Sequence, residues 1–472
     1  MLKIAALHRE GRGIIRPARD CTTGCGALDS GAKTNSNAPT IVPRPDHCIS
    51  RSQISRNCLK VLYRLKEAGY QAFLVGGGVR DLLLGREPKD FDVVTDAWPE
   101  DVRKLFRNCR LIGRRFRLAH VYFGREVIEV ATFRAAQEDE DMDDAAGELV
   151  RDDGGRILRD NRYGSIGEDV WRRDFTVNAL YYNIADFSIW DYTTGVTDVG
   201  ARLMRLIGDP EARYREDPVR LLRGVRLAAK LDFTFSPETE SPIADLAPLL
   251  EDVPPARLFD ESLKLFLAGH GIRSFEMLRH YGLFRYLFPT ADAALDGPDG
   301  ERVEALIRRG LENTDERVAE GKPVTPMFLF AVFLWHPVTA RADALREAGN
   351  TPMQALSAAC DEIARDQQSA VAIPRRITTP MKDIQMMQPR MTRTSGKRVL
   401  KVLDHPRFRA AYDLLLLRSD VGDASRELAE FWTRIQDETP GAREQAVSQP
   451  RMPGRRRRRR RPRNAGGDTG GQ

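Results

Sequence analysis

Phe73 to Asp96 reads FLVGGGVRDLLLGREPKDFDVVTD, and this stretch restricts the fold more than any composition figure does. The apolar run Phe73-Leu74-Val75 is strand-like and is broken by Gly76-Gly77-Gly78. Val79 to Leu84 can then form a short helix that stops at Gly85. A strand that enters a glycine turn and leaves as a helix makes a phosphate cradle. Glycine lets the backbone approach an anion, and the first helical N–H groups have no partner within the helix. Arg80 adds a guanidinium on that first turn. Lys89 to Val94 alternates polar and apolar residues, which predicts a half-buried strand. Asp90 and Asp92 then share a face, with Cα atoms roughly 6.5 Å apart at about 3.3 Å of rise per residue. Two carboxylates so spaced suit one or two Mg²⁺ ions beside a triphosphate.

Length and composition set the frame around that stretch. A chain of 472 residues, 42% hydrophobic and 30% charged, has material for two to four folded domains with real cores. No run is long and apolar enough to predict a membrane span, and the first residues lack the features of a secretory signal, so a cytoplasmic protein is expected. Of the six cysteines only Cys21 and Cys25 are close in sequence, and no second pair or nearby histidine completes a zinc site. Residues 451–472 hold nine arginines and one aspartate, a charge of +8, which leaves −2 for the rest of a chain whose total is +6.

In chain order, residues 1–45 are rich in Gly, Ser, Thr, Asn, Pro and Arg and read as a disordered extension. Ile54, Cys58, Val61, Leu62 and Leu65 follow helical spacing up to Gly69. A helix is predicted from Pro99 to Cys109. A hairpin follows, with strands Phe116–Phe123 and Val127–Phe133 joined at Gly124-Arg125. Glu129, in the second strand, reads either as an edge carboxylate paired with an arginine or as an extra acid near the metals. Glu138 to Gly155 is acidic, lacks periodicity and reads as a mobile loop. Asp169 to Tyr182 sets two arginines, an aspartate and an asparagine among apolar residues, and Phe187 to Tyr192 is another strand candidate. From residue 196 the pattern is helical. Val219, Leu222, Val225 and Leu227 form a stripe, and Arg220, Arg223 and Arg226 a ridge three residues apart. Lys382 to Arg398 is basic and methionine-rich, an RNA-facing surface or a solvated one.

The stretches LVGGGVRDLLLG and DFDVVT resemble the nucleotidyltransferase family of bacterial poly(A) polymerases and CCA-adding enzymes. The resemblance covers roughly residues 46–290 and thins in the later helices. It implies an α+β protein with a small mixed-sheet catalytic head (46–195), a helical neck binding nucleotide and RNA (196–290) and a helical RNA-binding body (291–445). A disordered basic tail (446–472) follows. In such enzymes Asp90 and Asp92 hold metal, with Mg²⁺ as cofactor and ATP as substrate, and Gly77 and Arg80 grip phosphates. The R-R-D-F-T-x-N segment puts Arg172, Arg173 and Asn178 at the ribose and makes Asp174 the third acid. Glu216, Asp217 and Arg220 fall at the incoming base, with Arg223 and Arg226 downstream. IGRRFRLAHVYF at Ile112 to Phe123, LRDNRYGSI and the arginine-rich end point to the poly(A) branch. CCA addition, or RNA binding without catalysis on the same fold, is the alternative. The expected partners are RNA 3′ ends and ATP, with RNA-decay or RNA-chaperone proteins, and the expected state is a monomer.

Arg455, Arg456, Arg457, Arg458, Arg459, Arg460 and Arg461 form an unbroken run that repels itself and cannot bury a core. Such a run binds phosphate backbones without reading sequence, with anionic lipid as the competing partner. Deleting 451–472 should raise KM for long RNA and flatten the salt dependence of binding, by about 0.7 in log–log slope per lost phosphate contact, while kcat at saturating RNA holds. Kinetics at two salt concentrations check this, and an unchanged slope would assign the tail to another partner.

Overall fold

The computed structural model describes residues 38–113, 117–135, 149–151, 157–160 and 163–448. The two N-terminal cysteines, most of the acidic stretch, part of Ile112–Phe123 and the arginine run lie outside them. The described chain divides into two compact units, one of residues up to Val253 plus Glu276–Leu283, the other of Pro254–Phe275 plus the chain from Phe284 onward.

The first unit is built on an eight-stranded mixed sheet. In chain order its elements are β1 (Thr40–Val42), α1 (Arg56–Glu67), β2 (Ala72–Val75), α2 (Gly77–Leu83), β3 (Asp92–Thr95), α3 (Pro99–Leu105), β4 (Cys109–Ile112), β5 (Leu118–Phe123) and β6 (Glu126–Thr132). After the separate ribbon of β7 (Leu149–Arg151) and β8 (Ile157–Asp160) come α4 (Ile166–Trp171), β9 (Leu180–Asn183), β10 (Ile189–Asp191), α5 (Gly195–Ala201), α6 (Pro210–Glu216) and α7 (Val219–Leu231). The strand order is β1-β10-β9-β2-β3-β6-β5-β4, antiparallel except for β3 and β6. β2 and β3 lie mid-sheet. α1 supplies one cover: the Cys58 N–H donates to Ser55 Oγ at 3.0 Å to cap it, and Cys58, Val61, Leu62 and Leu65 are buried.

Several boundaries differ from the sequence reading, each for a tertiary reason. Residues 40–42 join the sheet edge against Ile189–Asp191, so order begins before residue 46. The strand expected over Lys89–Val94 starts only at Asp92, and Val93, Val94 and Thr95 are all buried. A central strand covered on both faces has no solvent side to alternate with. Cys109 opens β4 instead of closing a helix, because pairing with β5 takes over its backbone groups. Within the stretch read as a mobile acidic loop, Leu149–Arg151 pairs with β8. The hairpin over β5 and β6 forms with Phe123 opposite Glu126. α7 is buried nearly all round rather than amphipathic, with Arg223 and Arg226 as partly exposed positions.

In the second unit the regular elements among the described residues are helices. Its core is aromatic: Phe266, Phe284 and Phe288 are fully buried, with ring centroids of Phe266 and Phe288 at 5.2 and 5.0 Å from Phe333. Edge-to-face packing adds roughly 0.5–1.5 kcal/mol per pair to the area buried. Phe330 and Phe333 come from the apolar helix Pro326–Phe333. Among the described residues no helix is long and apolar enough to cross a membrane. Phe266→Ala should destabilise this unit by about 3–5 kcal/mol and Phe266→Leu by clearly less, since leucine refills most of the void. Urea unfolding followed by circular dichroism measures both.

Candidate active site

Strand pairing creates the site. β2 runs into the glycine turn, and its last residue, Val75, lies opposite Asp92 at the start of β3. Gly76 has φ +72°, a backbone conformation that side-chain-bearing residues rarely adopt. It caps α2, which begins at Gly77, earlier than the sequence predicts. A Cβ on Gly78 would lie 3.6 Å from the Asp90 carbonyl oxygen, so the first turn of α2 presses on the loop that carries Asp90. Asp90 itself precedes the strand. The two-residue spacing of the acids is kept across a loop-to-strand junction rather than along one strand face.

Asp92 is surrounded by acids. Its register partner on β6 is Glu129, whose own partner on β5 is His120. Solvent reaches Asp92, yet its carboxyl is raised to about 6, by burial first, then by Glu129 and Asp90, with Arg173 opposing. Glu129 faces an imidazole, His120 Nε2 at 3.4 Å, and not the arginine of the simpler sequence reading.

A hydrogen-bonded chain underlies the glycine turn. Arg80 is buried and donates from Nε and Nη2 to Asp81 Oδ1 at 2.9 and 2.7 Å, and from Nη1 to Asn178 Oδ1. It approaches Gly77 from the protein side, where a Cβ on that glycine would come 3.3 Å from Arg80 Nη2. Asn178 Nδ2 donates to Asp174 Oδ1 at 3.4 Å, and Arg223 of α7 forks onto Asp174 Oδ2 at 2.9 and 2.5 Å. Burial would raise the Asp174 carboxyl, but Arg223, the Phe175 N–H and Asn178 outweigh it and hold it below the usual range. Asp174, read from the sequence as the third acid, is thus engaged by an arginine and a backbone N–H.

Arg173 forms a second buried knot. Its Nη2 donates to Asp169 Oδ2 at 2.8 Å, its Nε to Tyr181 Oη at 2.8 Å, and the Tyr181 hydroxyl donates to the same Asp169 oxygen at 2.9 Å. Burial opposes the charge on Asp169, yet Arg173 and Arg172 lower its carboxyl; Arg172 Nε lies 3.8 Å away. Arg213 joins this knot to α6, donating from Nη2 to the Arg173 carbonyl at 2.8 Å and from Nη1 to Glu216 Oε2 at 2.5 Å. Arg220 Nη1 donates to the same Glu216 oxygen and to the Arg213 carbonyl, both at 2.7 Å. Asp217 terminates α6 and accepts the Val219 N–H at 3.3 Å.

The sequence-predicted residues therefore fall into four groups: Asp90 with Asp92, Gly77 with Arg80, Asn178, Asp174 and Arg223, Arg172 with Arg173 on Asp169, and Glu216 with Asp217 and Arg220, while Arg226 lies partly exposed on α7. Asp81, Asp169, Tyr181 and Arg213 join them without being among the residues the sequence predicts. The i,i+4 spacing of Asp169 and Arg173 was a usable signal. Nothing in the sequence announces Tyr181, which the sheet brings in.

Three protein-family models match this chain. They are the Poly A polymerase head domain over residues 72–205, the probable RNA and SrmB-binding site of polymerase A over 232–295, and the polymerase A arginine-rich C-terminus over 348–465. Poly(A) polymerase I of Salmonella typhi is 51% identical over 428 residues, spanning 90% of this chain and 92% of that relative. The chain belongs to the poly(A) polymerase family. It is a nucleotidyltransferase with poly(A) polymerase activity. CCA-adding enzymes stand further off: that of Lactobacillus gasseri is 35% identical over 225 residues, 48% of this chain and 53% of its own. The fold is shared with the Bacillus stearothermophilus CCA-adding enzyme in complex with CTP, at a TM-score of 0.51 and 24% identity, covering 80% of this chain and 82% of that one.

A poly(A) polymerase site that crowds Asp92 against Glu129 and Asp90 does so at the expense of stability. A carboxyl that titrates near 6 in the fold, against an ordinary 3.8, weakens the fold as pH rises between those values, and the loss persists above them. Asp92→Asn should therefore raise Tm by a few degrees at about pH 7.5 in metal-free buffer, and the gain should shrink toward about pH 4. Calorimetry across that range measures it, and a gain independent of pH would contradict the crowding.

Proposed function

We propose that this chain adds AMP from ATP to RNA 3′ ends without a template, with release of pyrophosphate. The observation that carries the reading is the pair Asp90 and Asp92 beside a glycine turn, in a chain of this family. Asp90 and Asp92 would hold Mg²⁺, which when bound lowers the charge barrier at the α-phosphate and activates the attacking hydroxyl. The donor set fits: Mg²⁺ commonly takes one or two protein carboxylates and fills its shell with water and phosphate oxygens. The repulsion that raises Asp92 is also what a cation relieves.

The 3′ oxygen of the RNA bonds to the α-phosphorus, and the bond from that phosphorus to the bridging β-oxygen breaks. The hydroxyl proton leaves to water or a phosphate oxygen, since Asp90 and Asp92 are the carboxylates that would hold the metal. Gly77 admits the triphosphate to the backbone, and Arg80 contributes charge from beneath while Asp81 and Asn178 fix it. Asp174 serves by holding Arg223 toward the nucleotide, with Arg226 further along α7. Arg172, Arg173 and Asn178 serve the ribose side. Asp217 and Arg220 offer an acceptor and a donor to the adenine edge, and Glu216 presets the Arg220 guanidinium. A monomer in the cytoplasm, meeting RNA-decay or RNA-chaperone proteins, suits this activity, and the four described cysteines form no disulfide.

The deciding experiment offers RNA, Mg²⁺ and each nucleoside triphosphate separately. ATP should be used far better than CTP, GTP or UTP, and Asp90→Ala or Asp92→Ala should abolish incorporation with the fold retained. Asp217→Ala or Arg220→Ala should blunt the preference by about 1–3 kcal/mol each, the cost of an unpaired buried polar group. Efficient CTP addition to tRNA lacking its CCA end would replace this reading with CCA addition.

A further inference from the structure

On the face of α1 that does not pack on the sheet lies an open cleft of about 900 Å³, lined by none of the residues placed in the site above. Its edge is basic. Arg56, Lys60 and Arg64 recur every four residues on exposed positions of α1, and Arg107, after α3, adds a fourth cation. At 1.5 Å per residue, cations four apart are about 6 Å apart along the helix, close to the spacing of successive phosphates on a ribonucleotide strand. Among the described residues none of the four pairs with a carboxylate, whereas the arginines of the site above are almost all paired. Glu67 is the one acid lining the cleft.

The lining between these cations is aromatic. Tyr63, Phe106 and Phe123 contribute rings, with the Lys60 ammonium 5.8 Å from the Phe123 centroid and the Arg64 guanidinium 6.0 Å from that of Phe106. Fixed contacts hold the walls. Arg64 Nε donates to the Leu105 carbonyl at 3.0 Å, and Arg51 Nη1 donates to Tyr63 Oη at 2.9 Å. The cleft also begins at the catalytic end of the sheet. Asn57, beside Arg56, donates to Glu126 at 2.6 Å, and Glu126 opens the strand whose Glu129 faces Asp92. The Cys58 thiol, raised first by burial, also feels the charges of Glu126 and Asp92.

Cations without a carboxylate partner at phosphate spacing, interleaved with aromatic rings, are the recognition chemistry of a single strand of RNA. We propose that this cleft is an RNA-strand site of the head, holding a single-stranded segment of the substrate through Arg56, Lys60, Arg64 and Arg107, with bases against Tyr63 and Phe123. The inference rests on RNA being the substrate. An acidic protein segment would satisfy the cations but would leave the rings without stacking partners.

The test uses the full chain, arginine tail included, and fluorescence anisotropy with an adenylate oligomer of about 16 nucleotides, the upper range of single-strand site sizes. Arg56→Ala/Lys60→Ala/Arg64→Ala should reduce the log–log salt slope of binding by about 2, at about 0.7 per phosphate contact. Arg107→Ala alone should reduce it by a fraction of a unit, and Arg56→Lys/Arg64→Lys should restore most of the slope if charge is what matters. Photocrosslinking with thio-substituted RNA should label peptides carrying Tyr63 or Phe123 in the wild type. A wild type that extends RNA while the triple and Arg107 variants bind with unaltered slope would overturn the cleft assignment alone. Binding of a polyglutamate peptide that the triple variant loses, with RNA binding intact, would assign the cleft to an acidic partner instead. A wild type that extends no RNA would sink the functional reading, a result separate from the slope.

Discussion

Asp174 is buried and receives the partly exposed Arg223 guanidinium, and the polar ties of the first unit run through that contact. A buried carboxylate is tolerated only when paired and hydrogen-bonded, and Asp174 meets that condition through Arg223, the Phe175 N–H and Asn178. Here the pairing continues through Asn178 to Arg80 and Asp81, so α7 and the glycine helix are tied by one chain of polar contacts. Lys230 of α7 lies 4.0 Å from Asp81 and closes the same circuit from its other end. Charges that look from the sequence like ligands for a nucleotide are in part the ties that set the angle between elements.

The knot of Asp169, Arg173 and Tyr181 repeats the principle beside the carboxylates. Its net effect is a cation held near Asp92, partly offsetting the repulsion from Glu129 and Asp90. A site that must bind polyphosphate needs positive charge that does not collapse onto its own acids. Locking Arg173 onto a dedicated partner, with Tyr181 bridging, achieves that separation. The acids at the end of β3 keep a residual repulsion, which is the state that a bound cation would stabilise.

The first and second units solve stability differently. Polar ties run through the first unit because its chemistry needs charges at the ends of its central strands. The second unit packs phenylalanines from several helices against one another and needs few buried charges near that core. The first solution fixes positions to within hydrogen-bond geometry, and the second supplies bulk cohesion, which is non-directional.

The sequence by itself determined the parts that depend on local chemistry. The glycine turn after an apolar run, the Asp90-x-Asp92 spacing, the hairpin at Gly124, the helical pattern from residue 196 and the family's motifs are all legible in short windows, because backbone freedom, alternation and turn preference act over a few residues. Tertiary structure decided the rest. It began β3 only at Asp92 and buried Val93, Val94 and Thr95 alike, because a central strand is covered on both sides. It put Glu129 beside Asp92 through a parallel pairing across more than thirty residues of sequence. It turned Arg80 inward onto Asp81 and Asn178, and brought Tyr181 under Arg173. Each of these depends on which strands neighbour one another and which charges find partners once water is excluded, and neither is encoded in any window short enough to read along the chain.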